Sequence, residues 1–396
     1  MTSLDLVEHA APRFVPLDGA AGRALARSGL VEAAPDPETP GRWRVRAKGL
    51  VGVAAVQVPG GRAITVRIQP KLPVARLLFL LDYSRSPKGW RDEAVEVAEE
   101  SELLPAFARL FARQSEHALR QGLLKGYVAV EETALVMRGR LRFAEQVRRH
   151  HGRLVPVEID HDDYTTETAE NRLLRSACEA LLRLPLSTDV RGRLLRLRAN
   201  LIDVSPVPRG AVLPTWRPSR LNARYHHALR LAELVLRNAS VEHRAGNVTV
   251  HGFTFDMARV FENFLTAALR EALTGHSGRS VQQARHHLDE DRAIRMIPDF
   301  VHYADDGTPL AVADAKYKAE KPEGFPDADL YQMLAYCTAL NLPEGHLVYA
   351  KGNAPHASHR VRNVGITIHQ HVLDLDQPPG DLLTSVGHLA RRLIRK

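Results

Sequence analysis

Three residues in the last third of the chain have the types and spacing for chemistry on a phosphate ester. Asp299 lies in Ile297-Pro298-Asp299-Phe300. Asp314 and Lys316 lie in Leu310-Ala311-Val312-Ala313-Asp314-Ala315-Lys316-Tyr317-Lys318. The apolar run that leads into Asp314 reads as a buried strand, and residues two apart on a strand project from one face. A charged pair at the end of such a strand is costly unless it is partnered or binds a metal. Phosphodiester hydrolysis uses a divalent cation to offset phosphate charge and activate water. Mg²⁺ takes a few hard carboxylate oxygens and keeps several waters. A lysine beside it can hold the phosphate or help deprotonate the water. Asp299, at the start of the neighbouring strand, would bring a second carboxylate. The plainer alternatives are a turn-bracing Asp299 and a structural Asp314–Lys316 ion pair.

The elements that must position these residues form an α/β pattern. Phe255 to Leu273 reads as a helix, Ile294 to Tyr303 and Leu310 to Tyr317 as strands, and Ala328 to Leu340 as a helix opened by Pro326-Asp327. Further strands are expected at His346 to Lys351 and Val364 to Leu375, with a closing helix at Leu382 to Ile394. Upstream, Glu170 to Leu184, Val190 to Ile202 and Asn222 to Leu236 carry the apolar spacing of helix faces. Pro206, Pro208, Pro214 and Pro218 mark a loop between the last two. The first 160 residues look mixed. Apolar runs from Trp43 to Val56 break at Gly49 and Gly52, and Ala63 to Ile68 alternates as a strand ended by Pro70. Leu77 to Tyr83 starts a buried helix, and Glu93 to Leu123 is helical with a break at Pro105. Gly126 to Val136 and Leu141 to Phe143 are expected to form a hairpin around Arg138-Gly139-Arg140. The division is therefore 1–160 as a mixed α+β domain, 161–250 as a helical connecting region, and 251–396 as the α/β domain that carries the chemistry.

Composition narrows the class. The chain has 396 residues, 25% of them charged and 44% hydrophobic, which is ordinary for globular domains and excludes wholesale disorder. Two cysteines far apart, Cys178 and Cys337, exclude a disulfide framework and a cysteine zinc site. The apolar run Leu77 to Leu81 is too short to span a bilayer, and no signal-peptide stretch opens the chain. A soluble, cytoplasmic protein is expected. The net charge of +8 is uneven: residues from 251 onward carry 16 basic against 18 acidic groups, and residues 1–250 carry 38 against 28. A polyanionic partner is thus expected on the first two-thirds, although a solvated basic surface would look the same. The basic stretch holding Arg138, Arg140, Arg142, Arg148, Arg149 and Arg153 is a candidate phosphate or partner contact, as is Lys318. Among the 19 histidines no zinc-binding pattern appears. His369 and His371 share a strand face without an obvious third ligand.

Pro298-Asp299 followed by Asp314-Ala315-Lys316 resembles the PD-(D/E)xK nuclease superfamily. Glu262, on the preceding helix, falls where many members carry an extra acidic ligand. Gln332 and Tyr336, one turn apart on one helix face, match the Q-x-x-x-Y element of one branch. The resemblance extends in order along nearly the whole chain, and the family it resembles is McrC. It takes in Gly49-Leu50-Val51-Gly52-Val53, Ile68-Gln69-Pro70-Lys71-Leu72, Met137-Arg138-Gly139-Arg140-Leu141, Glu170-Asn171-Arg172-Leu173-Leu174, Arg259-Val260-Phe261-Glu262 and Asp329-Leu330-Tyr331-Gln332-Met333.

What the resemblance implies is a PD-(D/E)xK endonuclease core, a mixed sheet flanked by helices, with Glu262, Asp299 and Asp314 as Mg²⁺ ligands and Mn²⁺ as a possible substitute. Asp299, Asp314, Lys316, Gln332 and Tyr336 would form the catalytic set. It further implies a separate McrB-like AAA+ GTPase that recognises methylated DNA and translocates. This chain would dock on it through the N-terminal domain, stimulate it, and cut DNA. The absence of a G-x-x-x-x-G-K-[ST] loop agrees with a chain that has no nucleotide site of its own. The competing readings are a stand-alone nuclease of the same superfamily in repair or recombination, and a nuclease-dead adaptor, against which the intact Asp299, Asp314 and Lys316 argue.

Overall fold

A computed structural model describes residues 2–85, 87, 102–208, 210–238, 250–317, 327–350 and 356–394. It divides into two compact units, one made of Met1–Ala106 with Val241–Lys396, the other of Phe107–Ser240. The three consecutive segments expected above are thus regrouped, because the first and last stretches of the chain share a sheet. No helix among the described residues is long and apolar enough to cross a membrane.

The first unit opens with β1 (Thr2–Val7), followed by β2 (Arg13–Pro16), α1 (Gly19–Arg27), β3 (Val31–Pro35) and β4 (Arg42–Ala47). Asp18 caps α1 by accepting the Ala21 amide at 2.7 Å, satisfying one of the unpaired N–H groups of the first turn. β2, β4 and β3 make a three-stranded antiparallel sheet in that order. In β4 the odd-numbered Trp43, Val45 and Ala47 are buried, and a Cβ on Gly22 of α1 would collide with the Trp43 indole. The helix therefore lies directly on that face. β5 (Leu50–Val56), β6 (Ile64–Gln69) and α2 (Val74–Arg85) follow, with Leu77 to Leu81 buried as its apolar run requires.

The second unit starts within α3 (Leu103–Leu119), where Pro105 sits in the first turn and removes only an N–H that has no helical acceptor. Next come β7 (Gly126–Ala134), β8 (Arg140–Leu141), α4 (Phe143–His150), β9 (Val157–Thr165), α5 (Ala169–Leu182), α6 (Thr188–Asn200) and α7 (His226–Asn238). The expected hairpin is corrected here: β7 and β8 do not pair with each other, and both pair with β9. The nine-residue register from Gly126–Thr165 to Ala134–Val157 offers a longer ladder than the two residues of β8. The sequence hid β9 because Val-Glu-Ile-Asp-His-Asp-Asp-Tyr-Thr is rich in residues that strands disfavour. Thr168 caps α5, whose buried Leu173, Leu174, Ala177, Cys178 and Leu181 pack toward α6 and α7.

The first unit resumes with β10 (Val250–Asp256), α8 (Met257–Ala272), β11 (Arg279–Gln282), β12 (His286–His287), β13 (Arg295–Met296), β14 (Phe300–Tyr303) and β15 (Pro309–Lys316). It ends with α9 (Asp327–Leu340), β16 (Glu344–Tyr349), β17 (Ala357–Arg360), β18 (Thr367–Val372) and α10 (Pro379–Leu393). β10 completes a four-stranded sheet, β1-β6-β5-β10. At Gly52, φ of +129° and the approach of the Phe253 carbonyl leave no room for a side chain. Asp256 ends β10 and caps α8 by accepting the Ala258 amide at 3.0 Å. Phe264 of α8 packs edge-on against Phe79 and Tyr83 of α2, each at 5.6 Å between centroids.

The six-stranded sheet β11-β14-β15-β16-β18-β17 is mixed, with β15, β16 and β18 parallel and the outer pairings antiparallel. The expected strand from Ile294 to Tyr303 is two strands: Ile297-Pro298-Asp299 interrupts it, since Pro298 has no N–H to give a ladder. α9 crosses between β15 and β16, and its Met333, Tyr336 and Cys337 enter a core with Val312 and Leu347. Gly345 makes this possible, because a Cβ there would strike Cys337 Sγ and Met333 Sδ.

Candidate active site

The break at Pro298 sets the first element of the site. Phe300 pairs with Ala313 across the β14–β15 ladder, so Asp299 comes level with Asp314. Asp299 Oδ2 accepts the Ala315 amide at 2.8 Å, and the Asp299 carbonyl accepts the Gln283 amide at 3.0 Å. Two carboxylates on adjacent strands are thereby held side by side.

Period-two alternation on β15 puts Asp314 and Lys316 on one face, as expected. The Lys316 ammonium forms an ion pair with Asp314 Oδ2, and the Asp314 residue is only 3% exposed. Lys316 Nζ also donates to Gln332 Oε1 at 2.8 Å. Gln332 Nε2 donates to the Tyr336 hydroxyl at 2.8 Å, and that hydroxyl lies 3.4 Å from the Ile297 carbonyl it donates to. The i, i+4 spacing on α9 therefore orders a relay from the strand break to the lysine.

Glu262, on α8, accepts Gln283 Nε2 at 2.7 Å. Its charge reaches Asp299, whose carboxyl is pushed up to about 8. Burial is the largest cause, followed by the charges of Asp314 and Glu262, against which the Ala315 amide and Lys316 act. Burial likewise raises the Tyr336 hydroxyl, with Asp314 adding to the effect.

Glu262, Asp299, Asp314, Lys316, Gln332 and Tyr336 thus lie in one neighbourhood. Arg138 and Arg142 lie in the second unit, ion-paired to Glu132 at 2.8 Å and Glu131 at 2.9 Å. Arg140 is exposed on β8. Lys318 is outside the described residues. Gln283 went unrecognised in the sequence, since nothing in its local pattern reveals that it meets Glu262. Glu8 did as well: it is buried, and it accepts the Tyr317 hydroxyl at 3.0 Å just beyond Lys316.

The donor chemistry suits a hard divalent cation. The oxygens are carboxylate, Asp314 Oδ2 is buried against the Lys316 ammonium, and burial first, with repulsion from Asp314 and Glu262 second, drives Asp299 toward its neutral form. A cation would reverse that repulsion. Among the described residues, however, no three His, Cys, Asp or Glu side chains stand ready as a metal cage. Lys316 occupies Asp314 and Gln283 occupies Glu262, so these contacts must loosen for all three to ligate together.

A family model described as McrBC 5-methylcytosine restriction system component matches residues 45–350. The type IV methyl-directed restriction enzyme EcoKMcrBC of Escherichia coli (strain K12) is 21% identical over 315 residues, covering 74% of this chain and 89% of that protein. Among solved structures, the chain resembles one in a refined half-complex from a tetradecameric assembly of Thermococcus gammatolerans McrB AAA+ hexamers with bound McrC. The TM-score is 0.63 at 17% identity, over 99% of this chain and 100% of that one. At that identity the likeness is one of fold.

Proposed function

Because the chain belongs to the family of McrBC 5-methylcytosine restriction system components, we propose that it is the DNA-cutting subunit of such a system, a Mg²⁺-dependent endonuclease with a PD-(D/E)xK core. The observation that carries this reading is the Lys316 ammonium, bridging the Asp314 carboxylate and the Gln332 amide beside Asp299. Asp299 and Asp314 would hold the cation, with Glu262 at the margin of the set. When bound, the cation supplies charge for the phosphate and a more acidic water. Lys316 directs its charge at a phosphate oxygen and orients the attacking water. Gln332, held by Tyr336, fixes the ammonium, so the lysine is pre-positioned rather than mobile.

The partner we infer is a McrB-like AAA+ GTPase that reads methylated DNA and translocates, with this chain stimulating it. The structurally similar chain belongs to an assembly with McrB AAA+ hexamers, and this sequence carries no G-x-x-x-x-G-K-[ST] motif. The second unit supplies a fitting surface. Leu135, Val136, Met137, Phe143 and Leu154 around β8 and α4 are largely exposed, Leu135 at 78% and Leu154 at 85%. Exposed apolar side chains grouped this closely along the chain suit a partner contact. The ion-paired Arg138 and Arg142 beside them suit a protein contact better than a phosphate contact.

The test is nicking and linearisation of methylated and unmethylated plasmid with Mg²⁺, by the chain alone and with its GTPase partner. Cutting that needs partner, nucleotide and methylation, and that Asp314→Ala abolishes, is the expected result. Cutting that survives Asp314→Ala removes this centre from the reaction. Vigorous cutting by the chain alone favours the stand-alone nuclease.

A further inference from the structure

The small sheet β2-β4-β3 has one face packed under α1 and a second face that the reaction centre does not use. Along β4 the buried Trp43, Val45 and Ala47 alternate with Arg42, Arg44 and Arg46, and Lys48 continues the row. Successive members stand roughly 6.6 Å apart, two residues of strand rise. The neighbouring strands do little to neutralise them. Phe14 and Ala34 flank Arg44, Pro16 lies opposite Arg42, and the acids beside the row are Glu32, opposite Arg46, and Asp36, whose amide donates to the Arg42 carbonyl at 2.9 Å. Among the described residues Arg44, Arg46 and Lys48 form no ion pair. These three, together with Glu32, line a depression of about 400 Å³. Phe14, 48% exposed, lies under the Arg42 guanidinium at 5.5 Å.

The row lies in the same unit as the reaction centre. The charges of Arg46 and Lys71 both reach His9. His9 Nε2 is 3.6 Å from Glu8, and Glu8 accepts the Tyr317 hydroxyl, one residue beyond Lys316. An evenly spaced, net positive row of cations in the unit that also holds a centre suited to phosphate chemistry fits a linear polyanion.

We propose that the open face of β4 is a DNA-backbone track, with Arg42, Arg44, Arg46 and Lys48 holding the phosphates of duplex DNA on the way to the Asp314–Lys316 centre. This inference rests on the nuclease reading of that centre. The track holds DNA by charge, without reading its sequence, so methyl recognition stays with the partner.

The test is fluorescence anisotropy of the full chain with a labelled unmethylated duplex, in EDTA to prevent cutting, titrated over a range of KCl. The triple variant Arg44→Ala, Arg46→Ala, Lys48→Ala is compared with wild type and with Arg196→Ala, an exposed arginine of α6. Each lost phosphate contact lowers the slope of log K against log salt by about 0.9. The triple variant should therefore lose two to three from the slope and bind at least tenfold more weakly at moderate salt, while Arg196→Ala matches wild type. An unchanged slope overturns the track, as does wild-type chain that fails to bind duplex. A variant that keeps its DNA slope but loses the GTPase partner assigns the face to a protein and also overturns it. Asp314→Ala separates the two readings: it should keep the slope and lose cutting. If wild type never cuts while the triple variant still loses slope, the nuclease reading fails and the track stands.

Discussion

Lowering the pH should strip stability from the six-stranded sheet through two histidines. His346 on β16 and His371 on β18 are buried, with Nδ1 of one 2.9 Å from Nε2 of the other. His369 stacks on His346 at 5.1 Å and His356 lies against His371 at 4.7 Å. The charges that face the pair, from His356, His369 and Arg392, are all positive once protonated. Glu344 approaches only His369, at 3.5 Å. Burial first, and these like charges second, push His346 down to about 3 and His371 down to about 2. Both values lie below the ordinary 6.5, so the native state refuses protons that the unfolded chain accepts. Stability is therefore full above pH 6.5 and is lost as the pH falls from 6.5 toward 3. At pH 5.0, one and a half units below the unfolded value, each histidine costs about 2 kcal/mol, at about 1.4 kcal/mol per unit. Urea unfolding of wild type and His371→Gln at pH 7.5 and pH 5.0 measures this. Glutamine keeps a donor toward His346 Nδ1 and does not titrate. The gap between the two proteins should move in the variant's favour by about 2 kcal/mol between the two pH values. A gap constant to within about 0.5 kcal/mol would refute the claim that a buried, neutral His371 causes the acid sensitivity.

Four further outcomes rest on the same geometry. Gln332→Ala should slow cutting by roughly 10- to 100-fold, because it unfixes Lys316 Nζ. Tyr336→Phe should cost less, since its hydroxyl only steadies Gln332 and holds Ile297 at a long 3.4 Å; single-turnover rates rank the two. Chelation with EDTA should abolish cutting, and Mg²⁺ or Mn²⁺ should restore it while Ca²⁺ serves as the inactive comparison. Phe264→Ala should destabilise the first unit by about 3–5 kcal/mol in denaturant titrations, since a fully buried ring between Phe79 and Tyr83 leaves a cavity.

Local periodicity carried much of the site on its own. Asp314 and Lys316 share a face because strands alternate, and Gln332 and Tyr336 share one because helices repeat every 3.6 residues. Asp256 ends one element and caps the next in the way short polar side chains do. The positions of α2, α8, α9 and α10, and of β15, are likewise written into apolar spacing. Tertiary structure decided what spacing cannot encode, namely which distant backbones pair. β5 lies beside β10 some 200 residues later and joins the two ends of the chain into one unit. β7 takes β9 rather than β8, since the longer ladder satisfies more backbone groups. The Lys316–Gln332 and Gln283–Glu262 contacts depend on how α8 and α9 come to rest on the sheet, and the histidine stack depends on the pairing of β16 with β18. Gly345 admits α9 by lacking a side chain, a steric condition that becomes visible only when the helix is in place.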